Sequence, residues 1–201
     1  MGGVRAADLD GVTIDAYETL LTIVDPVASL QELLPDHHPD AIAGAFRRES
    51  AFYQEHTSTG TDREQLERLQ ERSVAVFNDA LGSSLSPAAY AGAFEFALLP
   101  EVKPALTRLR AFGLVLGVVA NWDISLHDRL AAAGIGHFFV AVVHAARKPE
   151  PEGIARALVL MAVAPERALH IGDSDADEEA ARAAGVRFAR APLADAVATL
   201  T

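Results

Sequence analysis

The sequence predicts an α/β fold: a parallel sheet covered by helices, with a block of helices set into it after the first strand. Three observations carry that expectation. From Pro100 onward, short apolar runs alternate with amphipathic stretches, the pattern of a parallel sheet buried on both faces. From about Pro26 to Leu98 the periodicity is helical and strand signal is almost absent. Each apolar run ends in polar residues, and ligands of such sheets bind outside the carboxyl ends of the strands.

Val12-Thr13-Ile14 reads as a buried strand that ends at Asp15. In the helical block, Leu66, Leu69, Ser73, Phe77 and Ala80 recur at three- and four-residue intervals. Thr61-Asp62-Arg63-Glu64 opens that segment like a capping box, and Ser86-Pro87 starts a further helix with proline at its first position. Four helices are expected in the block. Beyond it, Val102 to Ala111 is an amphipathic helix closed by Gly113, and Leu114 to Ala120 is a continuous apolar strand. A helix over Ser125 to Ala133 stops at Gly134, followed by a strand over Phe138 to Val143 and a helix over Pro151 to Met161. Ala168 to Ile171 is a strand, Asp175 to Ala184 a helix stopped by Gly185, and Val186 to Ala189 a last strand.

Composition narrows the function. The chain has 201 residues, enough for one α/β domain with an inserted subdomain. Half of them are apolar, as in a folded globular protein. The net charge of -11, with no basic cluster beyond pairs such as Arg47-Arg48, argues against nucleic acid and for small-molecule substrates. The absence of cysteine excludes disulfides, cysteine–zinc sites and thiol catalysis. The start Met1-Gly2-Gly3-Val4-Arg5 has no apolar run behind it, and Ala6 stands where a myristoylation motif needs Ser or Thr. No apolar stretch is long enough to cross a bilayer. A cytoplasmic protein without membrane partners, monomer or homodimer, is expected.

The strand ends bring together Asp15, Asn121 with Trp122, Lys148 and Asp173. A carboxylate can attack carbon or phosphorus and form a covalent intermediate. Mg2+ prefers a few carboxylates plus waters and phosphate oxygens. Asp15 and Asp173 would supply the carboxylates, with Asp177 or Glu178 as a further ligand or a support behind them. Lys148 would offset the crowded negative charge and contact the transferring group. These residues resemble, in order and over nearly the whole chain, the four motifs of the haloacid dehalogenase superfamily. Asp15-Ala16-Tyr17-Glu18-Thr19-Leu20 is similar to the first, Val119-Ala120-Asn121 to the second, Lys148-Pro149-Glu150-Pro151 to the third, and Gly172-Asp173-Ser174 with Asp177 to the fourth. The resemblance implies a Rossmann-like core over residues 1–22 and 99–201 and a helical C1-type cap over 23–98. It also implies Mg2+, an aspartyl intermediate on Asp15, catalytic partners Lys148 and Asn121, and a pocket lined by Tyr17, Ala120 and Trp122. The backbone carbonyl of Tyr17 is a further candidate for the metal.

The sequence departs from the phosphatase pattern at several positions. Tyr17 replaces the aspartate that protonates the leaving group, a contribution of roughly 10²–10⁴-fold. Tyrosine there is similar to the metal-independent 2-haloacid dehalogenases, whereas Gly172-Asp173 and its downstream acids are similar to the Mg2+-dependent phosphatases. Glu18 stands at a usual glycine, and Ala120 at a usual Ser or Thr that bonds the phosphoryl group. The main expectation is a Mg2+-dependent phosphatase acting on a small phosphorylated metabolite. Its alternatives are a metal-independent dehalogenase and a degenerate binding protein of the same fold. A second register, with Asp8 as nucleophile and Asp10 as acid in Asp8-Leu9-Asp10-Gly11-Val12, is also open. Asp177, Glu178 and Glu179 have a simpler reading as a solvated first helical turn, favourable with the helix dipole. Trp122 either packs under the helical block or lines the pocket, and His144 reads as structural.

Overall fold

The structure, a computed structural model, describes residues 4–201; Met1-Gly2-Gly3, part of the start read above for a leader, lie outside the described residues. The chain runs β1 (Gly11–Ile14), β2 (Leu21–Ile23), α1 (Pro26–Leu33), α2 (Pro39–His56), α3 (Arg63–Leu81), α4 (Pro87–Gly92) and β3 (Phe96–Leu98). It continues through α5 (Val102–Ala111), β4 (Val115–Val119), α6 (Leu126–Ala132), β5 (Ala141–Val143), α7 (Glu152–Met161), β6 (Ala168–Gly172), α8 (Asp175–Ala183), β7 (Arg187–Arg190) and α9 (Leu193–Ala198).

Five strands form one sheet in the order β5-β4-β1-β6-β7, and all four pairings are parallel. Strand β1 is central and buried at every residue, which is why its sequence is continuously apolar apart from Thr13. One apolar cluster joins Val12, Ile14, Leu116 and Ile171 to Leu106 and Leu109 of α5 and Leu193 and Val197 of α9. Another joins Val119 and Val143 to Ile154, Leu158 and Met161 of α7 and Ala180 and Ala181 of α8. The sheet is thus flanked by helices, as the alternation predicts.

The segment between β2 and β3 is helical, with α1 to α4 as the four expected helices. It has its own apolar cluster around Leu30, Ile42, Val74, Phe77 and Tyr90. Its two ends pair as an antiparallel ribbon, Leu21 opposite Leu98, Thr22 opposite Ala97 and Ile23 opposite Phe96. Three-residue strands are too short to give a period, so this ribbon is absent from the sequence reading.

Other local differences have plain causes. The cap of α3 is Asp62, whose side chain accepts from the Gln65 N–H at 2.8 Å, so helix and cap begin one residue after the expected Thr61. Thr61 instead donates to Gln65 Oε1. The strand expected over Phe138 to Val143 shortens to β5, because Gly136–Phe138 forms a 3-10 turn. Helix α9 was not anticipated; it is a single short amphipathic turn pair whose Leu193, Ala196 and Val197 seal the sheet. No helix among the described residues is long and apolar enough to cross a membrane.

Candidate active site

Asp15 follows β1 directly. Its N–H donates to the Ile171 carbonyl at 2.8 Å, extending the pairing of β1 with β6 by one residue. That pairing fixes the backbone, and the side chain is buried at the carboxyl edge of the sheet with 6% of its surface exposed. Asp173 follows β6 directly, and Asp177 lies one turn into α8. One carboxylate oxygen from each of Asp15, Asp173 and Asp177 lies within 4.8 Å of the others.

Asp177 reaches this cluster because it is the third residue of a capping box. Ser174 Oγ accepts from the Asp177 N–H at 3.2 Å, and the Ser174 N–H donates to Asp177 Oδ2 at 3.1 Å. Gly172 makes room for it: a Cβ there would lie 2.3 Å from Asp177 Cγ, so no other residue fits at the end of β6. Asp177 Oδ1 also meets His170 Nε2 at 3.0 Å, and His170 Nδ1 lies 2.9 Å from Thr13 Oγ1. Burial lowers the His170 pKa, so the ring is neutral. Its one N–H then sits on Nε2 facing Asp177, and Nδ1 accepts from the Thr13 hydroxyl.

Lys148 closes the cluster. Its Nζ donates to Asp15 Oδ1 at 2.5 Å and also to Asp177 Oδ1. The lysine arrives on an irregular loop in which Ala145 and Arg147 have left-handed backbone, φ 51 and 58. Asn121 stabilises that loop: its Oδ1 accepts from the Lys148 N–H at 2.7 Å, and its Nδ2 donates to the Lys148 carbonyl at 2.9 Å. The Asn121 amide is therefore committed to holding Lys148 in place. Asn121, expected as a catalytic partner, thus positions Lys148 and also lines the cavity.

The charges follow from burial and neighbours. Burial opposes the charge on Asp177, but the hydrogen bond from His170 and the ammonium of Lys148 outweigh it and hold this carboxyl below its usual range. Burial pushes Asp15 up to about 6; Lys148 opposes that shift and Asp177 adds to it. Burial and the charge of Asp177 raise Asp173 as well. Burial also works against the Lys148 charge, yet Asp15 and Asp177 overcome it and keep the ammonium protonated. An oxygen-only set of three carboxylates, two of them raised by burial and by the neighbouring charge of Asp177, suits a hard divalent cation. Asp15, Asp173 and Asp177 fit Mg2+ on this ground.

Above the cluster lies a cavity of about 460 Å³. Asp15, Lys148, Asp173 and Asp177 form its floor, and Tyr17, Ala120, Asn121 and Trp122 also line it. Tyr17 is 38% exposed and meets the Trp122 ring edge-on at 6.4 Å. Trp122 combines both roles open to it: it packs on Phe96 at 5.4 Å and lines the cavity. Ala120 is buried and offers no hydroxyl; its N–H donates to Val143 and its carbonyl accepts from Ala146. Glu18 adopts φ 55, the left-handed backbone that suits glycine, and its carboxylate accepts from Thr22 Oγ1 at 2.7 Å.

Glu178 does not join the cluster. Its exposed side chain pairs with Arg190 at 2.8 Å, because one residue's rotation around α8 separates it from Asp177. The alternative register at Asp8 also fails on placement. Asp8 ends a 3-10 turn and pairs with Arg5, while Asp10 pairs with Arg167 before β1 begins. Arg47 and Arg48 are exposed and do not line the cavity. His144 is partly buried against His127, with its Nδ1 unpartnered.

Among the cavity residues not singled out in the sequence are two buried carboxylates, Asp123 and Glu49. Asp123, buried in the loop after β4, accepts from the Ser125 N–H at 2.7 Å and from the hydroxyl of Tyr53 on α2. Glu49 of α2 is buried in the wall opposite the floor. These contacts join segments far apart in the chain, and no local pattern announces them.

The family model for haloacid dehalogenase-like hydrolase matches residues 6–185, and the chain belongs to that family of hydrolases. Curated relatives include phosphoglycolate phosphatases of Pseudomonas putida and Aquifex aeolicus. The first is 28% identical over 192 residues, covering 90% of this chain and 65% of its own length. The second is 27% identical over 192 residues, covering 92% of this chain and 82% of its own length. Among solved structures, L-2-haloacid dehalogenase from Xanthobacter autotrophicus matches with a TM-score of 0.72 at 20% identity, over 90% of this chain and 77% of that one. A haloacid dehalogenase-superfamily phosphatase from Thermococcus onnurineus matches with a TM-score of 0.58 at 19% identity, over 90% and 85%. At such identities the structural likeness shows the fold alone.

Proposed function

We propose that this protein is a Mg2+-dependent phosphatase that hydrolyses a small phosphate monoester in the cytoplasm. The observation that carries the reading is the acidic trio Asp15, Asp173 and Asp177 around Lys148 at one end of the sheet. Asp15, Asp173 and Asp177 would hold the ion, with the Tyr17 carbonyl as a further candidate ligand; once bound it supplies positive charge to the phosphoryl oxygens. The naming of the curated relatives as phosphoglycolate phosphatases agrees with phosphoryl chemistry.

The reaction would run in two displacements. An oxygen of the Asp15 carboxylate attacks phosphorus in line, the bond from phosphorus to the leaving oxygen breaks, and an aspartyl phosphate remains. The leaving alkoxide takes its proton from water, because Tyr17 stands where an acid would serve it. Water then attacks the aspartyl phosphate, releasing inorganic phosphate and regenerating Asp15. Lys148 orients the Asp15 oxygen and neutralises charge on the phosphoryl group. Asn121 keeps Lys148 there. Residues 23–98 would act as a cap over this floor, with Tyr53 reaching down to Asp123 when closed.

The test is hydrolysis of p-nitrophenyl phosphate by the purified protein. Turnover is expected with Mg2+, and none with EDTA or in Asp15→Asn. Turnover that survives either change would refute the reading. Tyr17 at the second position supports one rival, dehalogenation at carbon, and halide release from chloropropionate without metal would establish it instead.

A further inference from the structure

The wall of the cavity opposite the acidic floor contains a charge that the phosphatase reading leaves unused. Glu49 projects from the middle of α2 and is buried with 6% of its surface exposed. Its Oε2 accepts from the Tyr90 hydroxyl of α4 at 2.9 Å, and its Oε1 accepts from the Ser73 hydroxyl of α3. Ser50 Oγ is a marginal third donor at 3.5 Å. No Lys or Arg among the described residues forms an ion pair with Glu49. A carboxylate has about four acceptor positions, and neutral hydroxyls take only some of them. A buried carboxylate without a cation is costly, and burial accordingly raises its pKa.

The positive groups of the cavity are occupied elsewhere. Lys148 is held by Asp15 and Asp177, and the Arg129 guanidinium lies over the Phe96 ring at 4.3 Å. The lining contributed by the helical segment combines the aromatic Phe46, Tyr53, Tyr90 and Phe94 with neutral polar groups such as Ser50, Gln54 and Gln70. Phe46 and Tyr90 both pack on Phe94, at 5.6 and 5.0 Å between centroids. Aromatic faces attract cations and repel anions, and do so most strongly where water is excluded. The cavity, at about 460 Å³, has room for a ring-sized group beside a phosphoryl group.

We infer that Glu49 is the specificity-determining residue of an amine subsite, so that the preferred ligand has an apolar or aromatic body ending in an ammonium group. Its identity as a phosphate ester rests on the proposed function; the amine subsite does not. The ammonium donates to the free lone pairs of Glu49 while its carbon skeleton lies against Phe46 and Phe94. A substrate whose far end is a carboxylate, as in phosphoglycolate, would place like charges together against Glu49. A purely structural Glu49, clipping α2 to α3 and α4, would give no preference between ligand charges.

Two measurements decide the matter. The first is hydrolysis of three aryl phosphates of matched size: tyramine phosphate, ethylphenyl phosphate and phosphorylated hydroxyphenylacetate. The expected kcat/KM falls in that order, with about a tenfold or larger step between the amine and the neutral ester. In Glu49→Gln that step collapses toward unity. The second is calorimetric binding of tyramine and of hydroxyphenylacetate, neither of which contains phosphate, to the wild-type protein. Tyramine binding that exceeds hydroxyphenylacetate binding, and that weakens about tenfold in Glu49→Gln, supports the subsite. Equal binding of the two, no tyramine binding, or a preference for the carboxylate ester would overturn it. If neither p-nitrophenyl phosphate nor any of the three esters is hydrolysed, the phosphatase reading fails while the binding measurement still decides the subsite.

Discussion

Replacing Lys148 with methionine removes one charge while keeping most of the side-chain volume, and its effect can be estimated from the acidic cluster. Lys148 is buried between Asp15 and Asp177, whose oxygens lie within 4.8 Å of each other. At that distance, with an effective dielectric of roughly 20, two carboxylates repel by about 3.5 kcal/mol. Breaking a buried ion pair from one side costs about 3–5 kcal/mol, so the two routes agree. Against a domain stability of about 5–15 kcal/mol, this is a large fraction. The pH dependence has a definite sign. Burial already raises Asp15 to about 6, and loss of Lys148 raises it further. A carboxyl whose folded pKa is raised destabilises the fold above its unfolded pKa, near 4, and that cost is relieved as pH falls back through the folded value. The deficit of Lys148→Met should therefore be largest at pH 7 and smaller at pH 5. Mg2+ at 100 times its Kd would restore about 2.7 kcal/mol. Urea denaturation followed by circular dichroism, at both pH values and with Mg2+ or EDTA, measures all three effects. A variant as stable as wild type in EDTA at pH 7, or a deficit that grows on acidification, would refute this account of the cluster.

Other substitutions separate the roles assigned to individual residues. Asp173→Asn should abolish the calorimetric Mg2+ signal, whereas Glu178→Gln, which removes one of the surface partners of Arg190 and leaves Asp175 and the Asp173 carbonyl in place, should leave it unchanged. Ala120→Ser would add a hydroxyl at the cavity wall, and kcat/KM on p-nitrophenyl phosphate should rise about tenfold or more with no change in the unfolding midpoint. Glu18→Gly relieves left-handed backbone and forfeits one exposed hydrogen bond to Thr22. Its expected net gain is about 1 kcal/mol, or roughly 2–4 °C in Tm by calorimetry.

The parts of this molecule that were legible in its sequence are those governed by local pattern. Strands β1, β4 and β6 announce themselves as apolar runs because a sheet covered on both faces needs them so. Asp15, Lys148 and Asp173 are legible because each ends such a run or follows it closely. The choice between Asp177 and Glu178 was legible in principle: Ser174 with an acid three residues later is a capping-box signature, and it turns Asp177 inward. Glu49 and Asp123 were not legible, since their partners Ser73, Tyr90 and Tyr53 lie on other helices and only tertiary packing brings them together. The hold of Asn121 on Lys148 was not legible, because its partner is a backbone segment 27 residues away.

The ribbon of β2 and β3 has a consequence for how such a protein can change over evolutionary time. It brings Ile23 beside Phe96, so both ends of the helical segment leave the sheet at one point. Closing a chain loop costs only about 0.6 kcal/mol for each doubling of its length. Here the junction is already made by strand pairing, so residues 24–95 can lengthen, shorten or be exchanged with little effect on the sheet. Drift and selection can remodel the wall containing Glu49 while leaving the carboxylates below it unchanged, and one chemistry can be redirected to new substrates from a single hinge point.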